Sequence, residues 1–262
     1  MNTLDDRITF LSELIQTVRN DLIHQTFSSI SLKEEAFDNI VTDVDVLVQE
    51  RLVHALSDRF PDTAFLNEEE TTHVMSDRMW IIDPIDGTKN FVRRQEDFAI
   101  SVAYYENRQP VFGIVIDVAK DALYVGVEGR GAWLNGQALS HLKNRPLREA
   151  VLDVNLKTLD YLHRVHHADI FALSKGLFAH RSIGSGALSL CRIAAGKHDL
   201  YVGDSISLWD YAAGAIILRG VGGVVELPFL DPRRPEPAPQ TVIGAAHPNQ
   251  IRALFEILHI QH

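Results

Sequence analysis

The sequence predicts a layered α+β or mixed α/β protein, and three observations carry this prediction. Near the start of the chain, apolar residues recur at three- and four-residue steps, which is the spacing of amphipathic helices. Residues 63–127 instead contain short apolar runs separated by Gly, Asn and Asp, as strands joined by turns do. From Val151 onward strand-like and helical segments alternate, so we expect helices to cover the sheets.

The first element prediction is a pair of helices at the start of the chain, followed by strands and a final helix. Proline is tolerated in the first turn of a helix, so a last helix is expected from His247-Pro248. Asn135-Gly136 after GAWL predicts a tight hairpin turn. The strand-like runs before it are TAFL, MWIID, FAISVAYY, VFGIVID and ALYVGV. The apolar positions of the two opening helices are Leu4, Ile8, Leu11, Leu14, Ile15, Val18 and Leu22, then Val44, Leu47, Val48, Leu52, Ala55 and Leu56.

Composition excludes several function classes. With 35 acidic and 25 basic residues, the 262-residue chain carries a net charge of −10, which argues against a broad nucleic-acid interface. The single cysteine, Cys191, allows neither a disulfide framework nor a Cys-ligated zinc site within this chain. The opening MNTLDDRITF lacks the basic and apolar segments of a signal peptide, and no run of 18 apolar residues occurs. We therefore expect a soluble, cytoplasmic protein without a membrane partner.

The stretch WIIDPIDGTKNF at 80–91 predicts a metal and phosphate site. Asp83 is expected where a buried strand leaves the core, and Pro84 forces a stiff turn that brings Asp86 to the same cleft. Carboxylates held this close repel each other unless a cation lies between them, and Mg²⁺ prefers such oxygen ligands. Gly87-Thr88 is expected to begin a helix whose free N–H groups attract phosphate. Taken alone, these aspartates are better explained as turn and cap residues.

Further acids follow other apolar runs. FLNEEE places Glu68 after a strand-like segment, IVTDVD places Asp45 at the head of the second helix, and SLWDYAAGAI places Asp210 at a helix start. Singly, Glu68 and Asp45 are explained by solvation or helix capping. Asp210 needs a partner in its apolar setting, and a helix cap explains it as well as a metal does. Gly184-Ser185-Gly186 resembles part of a dinucleotide fingerprint, but Ser189 stands where the third glycine is required.

Together these segments resemble the inositol monophosphatase family of Mg²⁺-dependent, lithium-sensitive phosphomonoesterases. WIIDPIDGTKNF is similar to the family motif W-x-x-D-P-x-D-G-T-x-N-F, and LWDYAAGAIIL followed by GGVV is similar to its C-terminal signature. The resemblance covers nearly the whole chain. It implies the αβαβα layered sandwich shared with fructose-1,6-bisphosphatase, in one unit of residues 1–262. Its approximate halves are a metal- and phosphate-binding 1–145 and a substrate-lining 146–262.

The resemblance also implies roles for individual residues. The implied reaction is hydrolysis of a phosphate monoester by water that two or three Mg²⁺ ions activate. Thr88, hydrogen-bonded to Asp45, would take or orient the proton of that water, and Glu68 would fix the same water. The amides of Gly87 and Thr88 would bind the phosphate, and Lys33 is similar to an upstream active-site lysine. The implied metal ligands are Glu68, Asp83, the Ile85 carbonyl, Asp86 and Asp210.

The substrate is less narrowly implied. Gly184, Ser185 and Gly186 would line the alcohol side of the pocket, together with Asp86 and Asp210. Gly203 stands where animal inositol monophosphatases have a substrate-contacting glutamate, so either Asp204 substitutes for it or the pocket is broader. Inositol monophosphate or a related sugar or polyol phosphate is expected, with fructose 1,6-bisphosphate and the 2′-phosphate of NADP as alternatives. A non-catalytic regulatory binding protein is the alternative of another class.

The family resemblance also implies a homodimer. The surface would come from the hairpin region GIVIDVAKDALYVGV or from segment 157–180. The sequence does not decide between these two surfaces.

Overall fold

The computed structural model describes residues 3–24, 32–36, 39–69, 76–229 and 238–260, with only the backbone described at 32–36 and 39–41. The helices are α1 (Leu4–His24), α2 (Asp43–Arg59), α3 (Thr88–Arg94), α4 (Leu156–His166), α5 (Leu173–Gly176), α6 (Gly186–Ala194), α7 (Leu208–Gly220) and α8 (Pro248–Leu258). The strands are β1 (Leu32–Ala36), β2 (Asn39–Thr42), β3 (Ala64–Asn67), β4 (Arg78–Asp86), β5 (Ala99–Glu106), β6 (Gln109–Asp117), β7 (Ala122–Val127), β8 (Gly131–Leu134), β9 (Gln137–Ala138), β10 (Val151–Val154), β11 (Ala179–Arg181), β12 (Leu200–Ile206), β13 (Val224–Glu226) and β14 (Gln240–Ala245).

The strands form two large sheets and one hairpin. The seven-stranded sheet has the order β3-β4-β5-β6-β7-β8-β9, in which only the β3–β4 pair is parallel. The five-stranded sheet has the order β11-β10-β12-β14-β13, with β10 parallel to both of its neighbours. β1 and β2 pair as a separate antiparallel hairpin. Both large sheets are therefore mixed, as the predicted class requires.

Helices cover the sheets in five layers. One apolar cluster joins α1 and α2 to the first face of the seven-stranded sheet, and a second joins α6 and α7 to its other face and to the five-stranded sheet. A third cluster joins the remaining face of the five-stranded sheet to α4 and α8. The αβαβα sandwich is confirmed. The middle layer, formed by α6 and α7, contacts both sheets.

The apolar sequence of strand β4 is explained by the helices that cover both of its faces. Trp80 and Ile82 pack toward α1 and α2, whereas Met79 and Ile81 pack toward α6 and α7. Successive strand residues point to opposite faces, so a strand covered on both faces is continuously apolar. The unbroken run MWII records burial on both sides of this sheet. After this apolar run, Asp83 and Asp86 are the first polar side chains toward the end of the strand.

Close approach of α7 to the seven-stranded sheet depends on a glycine. A Cβ added to Gly113 on β6 would lie 2.6 Å from the Cα of Ala213 on α7. Such a distance is far below van der Waals contact, so only glycine lets the helix backbone lie against this strand.

The predicted helices are confirmed, and one strand end differs from expectation. The structure places α1, α2, α7 and α8 where periodicity predicted helices. The expectation that the strand ends at Asp83 is wrong, because β4 continues to Asp86. Asp83 pairs with Ser101 and Asp86 with Ala99, so β4 has one more residue than β5 in this interval. Pro84 has no N–H to donate to the ladder, and a bulge accommodates it.

The proposed division at residue 145 stays a prediction. Strands of the seven-stranded sheet all precede it and those of the five-stranded sheet all follow it, but α6 and α7 of the second half pack on the first sheet. Within the described ranges, no helix combines the length and apolar character that crossing a bilayer requires.

Candidate active site

Three carboxylates from two elements lie close together. Asp83 and Asp86 lie on the bulged end of β4, and Asp210 lies in the first turn of α7. One oxygen from each of the three carboxylates lies within 4.8 Å of the others. The bulge is what brings the two β4 carboxylates to this place, since an unbroken pleat would turn residues 83 and 86 to opposite faces.

Asp83 is the most deeply buried of the three acids. Its side chain is about 1% exposed, and its Oδ1 has no hydrogen-bond partner among the described residues. Burial, together with the charges of Glu68, Asp86 and Asp210, raises the pKa of Asp83 well above its usual range. A buried carboxylate oxygen without a donor is costly. A hard divalent cation is a ligand that would satisfy it.

Glu68 lies beside Asp83 at the end of β3. Its amide donates to the Ile82 carbonyl at 3.3 Å, and its carboxyl is within hydrogen-bonding reach of the Asp83 carboxyl. Burial first, and then the charge of Asp210, raises the pKa of Glu68 well above its usual value. The two neighbouring carboxyl groups therefore resist carrying negative charge together unless a cation lies between them.

Asp86 caps the helix that carries the small residues of the predicted substrate side. The Ser185 hydroxyl donates to Asp86 Oδ2 at 2.5 Å, and the amides of Gly186 and Ala187 donate at 3.2 and 2.7 Å. Burial raises the pKa of Asp86 to about 6 although these bonds act to lower it. The N-terminus of α6 is occupied by this carboxylate. A dinucleotide pyrophosphate would need the same N–H groups, so the arrangement argues against the dinucleotide-binding alternative.

Asp210 is held by a capping box at the start of α7. The Ser207 amide donates to Asp210 Oδ2 at 2.7 Å. Burial and the neighbouring Asp86 raise the pKa of Asp210 to about 7. Capping and metal binding are therefore compatible roles for this acid. One of its oxygens caps the helix, and the carboxylate also belongs to the three-acid cluster.

Thr88 and Asp45 are in contact. The Thr88 hydroxyl lies 3.3 Å from Asp45 Oδ1 and 3.0 Å from the Ile85 carbonyl oxygen, either of which accepts its single hydrogen. Thr42 fixes the other side of Asp45, since its amide donates to Asp45 Oδ2 at 3.0 Å and its hydroxyl bonds the same oxygen. Burial raises the pKa of Asp45, and the bonds from Thr42 oppose this rise.

Gly87 must be glycine at the start of α3. It has φ of 92°, which is left-handed backbone, and an added Cβ would lie 3.1 Å from the Asp97 carbonyl oxygen. Asn90, one turn later, donates from its side chain to the carbonyls of Asp97 and Ile183 at 2.9 and 2.7 Å. Asn90 of the DGTKN segment therefore joins α3 to the loop before Gly184, a function that was not predicted from the sequence.

Asp86 and Asp210 open onto a cavity of about 460 Å³, and Asp83 lies behind them without lining it. The Asp153 carboxylate lines it and is fixed by bonds from Ser189 Oγ at 2.6 Å and Ile183 N at 3.0 Å. Burial and nearby carboxylates raise the pKa of the Tyr201 hydroxyl well above its usual value, so this group is neutral. Sequence reasoning missed these two residues, whose signal is a polar side chain inside a short apolar strand. The lining consists of Asp86, Lys89, Asp153, Asn155, Lys157, Gly184, Ser185, Gly186, Tyr201, Ile206 and Asp210.

Two candidates remain, Asp204 and Lys33. Asp204 accepts from the Thr241 hydroxyl at 2.9 Å and from the Ser205 hydroxyl at 3.0 Å, and it does not line the cavity. Its geometry therefore gives no support to a substrate contact. Lys33 is on β1, where only the backbone is described, so its side chain lies outside the described part of the chain.

The donor set fits a hard metal ion. Asp83, Asp86 and Asp210 supply only oxygen, and they carry more negative charge than a buried site tolerates without compensation. Mg²⁺ takes such oxygens with near-octahedral geometry and keeps waters in its shell. The cluster is therefore a metal-binding acidic triad whose chemistry suits Mg²⁺.

Comparison with known proteins gives a consistent result. Residues 5–260 match the inositol monophosphatase family. An inositol-1-monophosphatase from Bacillus subtilis is 38% identical over 189 residues, which cover 71% of each chain. A fructose-1,6-bisphosphatase/inositol-1-monophosphatase from Thermotoga maritima is 35% identical over 221 residues, which cover 84% of each chain. The crystal structure of a staphylococcal IMPase-I complexed with products has a TM-score of 0.83 and 25% identity, over 98% of this chain and 96% of that one.

Proposed function

The chain belongs to the inositol monophosphatase family and is a metal-dependent phosphomonoesterase, and we propose that it hydrolyses inositol monophosphate or a related polyol or sugar phosphate. The observation that carries this proposal is the convergence of Asp83, Asp86 and Asp210 within 4.8 Å at a cavity whose other wall is the small Gly184-Ser185-Gly186 segment. The acids would hold the metal ions that act on the phosphate group of the substrate, and the small residues leave room for its alcohol part.

Mg²⁺ would be held by Glu68, Asp83, the Ile85 carbonyl, Asp86 and Asp210, as two or three ions. When bound, it supplies Lewis-acid activation of water and neutralises charge on the phosphoryl oxygens. Thr88 and Asp45 are not among these ligands, and they would handle the proton of the attacking water. The Thr88 hydroxyl, in contact with Asp45, would orient the attacking water and pass its proton toward the Asp45 carboxylate.

The phosphate would lie at the start of α3. The amides of Gly87 and Thr88 would donate to it, because N–H groups in the first turn of a helix lack intrahelical acceptors. Gly87 adopts a left-handed conformation, and Asn90 ties this turn to the loop before Gly184. The same turn would therefore bind the phosphate and determine the position of the alcohol-side segment.

Two lysines support a second candidate function. Lys89 and Lys157 line the cavity that the acids open onto. Their positive charge favours an alcohol part that itself carries a phosphate, as fructose 1,6-bisphosphate and NADP do. The chain would then act on a substrate of this kind at its 1- or 2′-phosphate with the same acids and the same threonine.

Phosphate release by the purified protein tests both candidates. The panel contains inositol 1-phosphate, fructose 1,6-bisphosphate, NADP, 3′-phosphoadenosine 5′-phosphate and glycerol 2-phosphate, each with Mg²⁺ and with EDTA. We expect release only with Mg²⁺, and fastest from inositol 1-phosphate. Preference for the bisphosphate or NADP would establish the second candidate. Absence of release from every ester would contradict both and favour a regulatory binding protein.

We also propose that the chain forms a homodimer through segment 157–180. Phe171 and Phe178 are 77% and 72% exposed, and Phe178 directly precedes β11, which is an edge strand of the five-stranded sheet among the described strands. Large exposed aromatic residues beside an unpaired edge favour association with a second copy. Light scattering should give twice the chain mass for the native protein. The double variant Phe171→Ser and Phe178→Ser should be monomeric, whereas Ile23→Ser, at an exposed apolar position on α1, should remain dimeric.

A further inference from the structure

Tyr201 and Gly203 are alternate residues of β12 and therefore point to the same face. A Cβ added to Gly203 would lie 2.2 Å from the Tyr201 hydroxyl oxygen and 2.8 Å from the ring carbon that bears it. A Cβ added to Gly186 on α6 would lie 3.3 Å from the same hydroxyl oxygen. The hydroxyl is thus seated between two glycines, in the space that a side chain at position 203 would need.

Tyr201 lines the cavity, and its hydroxyl has no hydrogen-bond partner in the part of the chain that the structure describes. The Tyr201 side chain is about 6% exposed, yet the residue lines the cavity that contains Asp86 and Asp210. Among the described residues, none forms a hydrogen bond with its hydroxyl. A polar group in so buried a setting is costly without a hydrogen-bond partner, and a ligand in the cavity would supply one. A neutral phenol both donates and accepts, as a substrate hydroxyl does.

We propose that the Tyr201 hydroxyl hydrogen-bonds the alcohol part of the substrate and is the specificity-determining contact on that side of the cavity. Gly203 is then glycine because any side chain there would displace the phenol. A neutral contact here accepts both a polyol and an alcohol part that carries a second phosphate, whereas a carboxylate at position 203 would repel the latter. The proposal rests on the phosphatase function proposed above and identifies how that site selects its substrate.

Tyr201→Phe tests the contact because it removes the hydroxyl and keeps the ring. The two probes are inositol 1-phosphate, whose alcohol part carries hydroxyls, and 4-nitrophenyl phosphate, whose alcohol part carries none. We expect the ratio of kcat/KM for the first probe to that for the second to fall about tenfold, since a lost bond to a substrate hydroxyl is felt only by the probe that has one. Tyr124→Phe is the matched control, because Tyr124 is buried in the same apolar cluster but does not line the cavity. Its ratio should equal that of the native protein.

Gly203→Ala tests the same contact from the other side. The added methyl group overlaps the hydroxyl, so the ratio should fall as it does in Tyr201→Phe. When Tyr201→Phe and Gly203→Ala are combined, the ratio of kcat/KM should fall no further than in Tyr201→Phe alone, because the contact between the hydroxyl and the substrate has already been lost. An additive fall would contradict the proposal, as it would mean that the two changes act independently.

The outcomes separate this proposal from the phosphatase function. Turnover of 4-nitrophenyl phosphate by the native protein reports the phosphatase, whatever the Tyr201 variants do. An unchanged ratio in Tyr201→Phe, or an equal loss on both probes, would overturn the Tyr201 proposal and leave the function in place. Lack of metal-dependent release from either probe by the native protein would instead overturn the proposed function and this inference with it.

Discussion

Asp210 is the residue whose replacement best tests the acid cluster. Asp210→Asn removes one negative charge while keeping the shape and the cap oxygen that accepts from Ser207. We expect turnover with Mg²⁺ to fall about 100-fold or more, because a ligand carboxylate is lost. Thermal stability without metal should be unchanged or higher, since the amide relieves repulsion with Asp86. Phosphate-release kinetics and thermal unfolding measure the two effects.

Asp204→Asn is the matched control for this variant. Asp204 lies close in sequence, but its carboxylate is bonded to Thr241 and Ser205 outside the cavity. Its replacement should leave turnover within about twofold of the native value. A large loss in Asp204→Asn together with near-native turnover in Asp210→Asn would show that the metal ligands are wrongly assigned.

At the scale of single residues, the sequence revealed the acids and missed much of the alcohol side. Asp83, Asp86 and Asp210 stand in motifs that are long enough to be specific, and the structure brings them together. Tyr201 and Asp153 stand in short apolar strands with no distinctive spacing. They reach the cavity only because β10 and β12 pair in one sheet, and pairing between distant segments is not visible in local pattern.

The start of α2 offers a test at the scale of an element. Thr42 caps this helix and also bonds Asp45, which contacts Thr88. Thr42→Ala should lower the free energy of unfolding by about 1 kcal/mol through loss of the cap. It should also raise the pKa of Asp45 further, because the bond from the Thr42 hydroxyl, which lowers this pKa, disappears while the bond from the Thr42 amide remains. The acid limb of the pH–kcat profile should then move to higher pH, with kcat reduced about tenfold near neutral pH.

His247→Ala separates capping from catalysis. His247 caps α8 in a capping box, outside the set of residues that line the cavity. It should lose a similar stability of about 1 kcal/mol and keep the native pH profile. An identical shift of the profile in both variants would indicate that general destabilisation, and not the Asp45 contact, changes the rate.

Helices could be predicted from sequence more completely than sheets. Periodicity gave α1, α2, α7 and α8 because each has one apolar face or a continuous apolar run with a cap. The order of strands and the bulge at Pro84 could not be read in the same way. A bulge is a property of two paired strands, and the identity of the partner, β5, is decided by packing of the whole sheet.

At the scale of the whole molecule, the layered core makes the acid cluster unfavourable without a cation. The triad lies where β4 and α7 meet, and both elements are fixed by apolar packing on the same sheet. The carboxylates cannot move apart to reduce their repulsion without separating these layers. Protonation therefore relieves the repulsion that the hydrogen bonds to Asp86 and Asp210 leave in the metal-free protein, and cation binding replaces it.

This competition between protons and the cation predicts how stability depends on pH. In the metal-free fold the pKa of Asp86 is raised to about 6 and that of Asp210 to about 7, whereas in the unfolded chain both are about 3.9. Between these values the folded protein holds protons that the unfolded chain has released, so the carboxylates lower the free energy of unfolding as pH rises. His166 and His198, whose pKa values burial lowers, contribute the opposite slope.

The difference between melting temperatures with Mg²⁺ and with EDTA isolates the carboxylates, because the histidine contribution is common to both. We expect this difference to be small near about pH 5 and to grow toward about pH 8, since Mg²⁺ binds the deprotonated acids and must displace protons at low pH. Asp210→Asn should reduce the growth with pH, and Asp204→Asn should not. If the difference were largest at the acidic end, or independent of pH, protons and Mg²⁺ would not compete for this cluster. The metal would then have to be bound elsewhere in the chain.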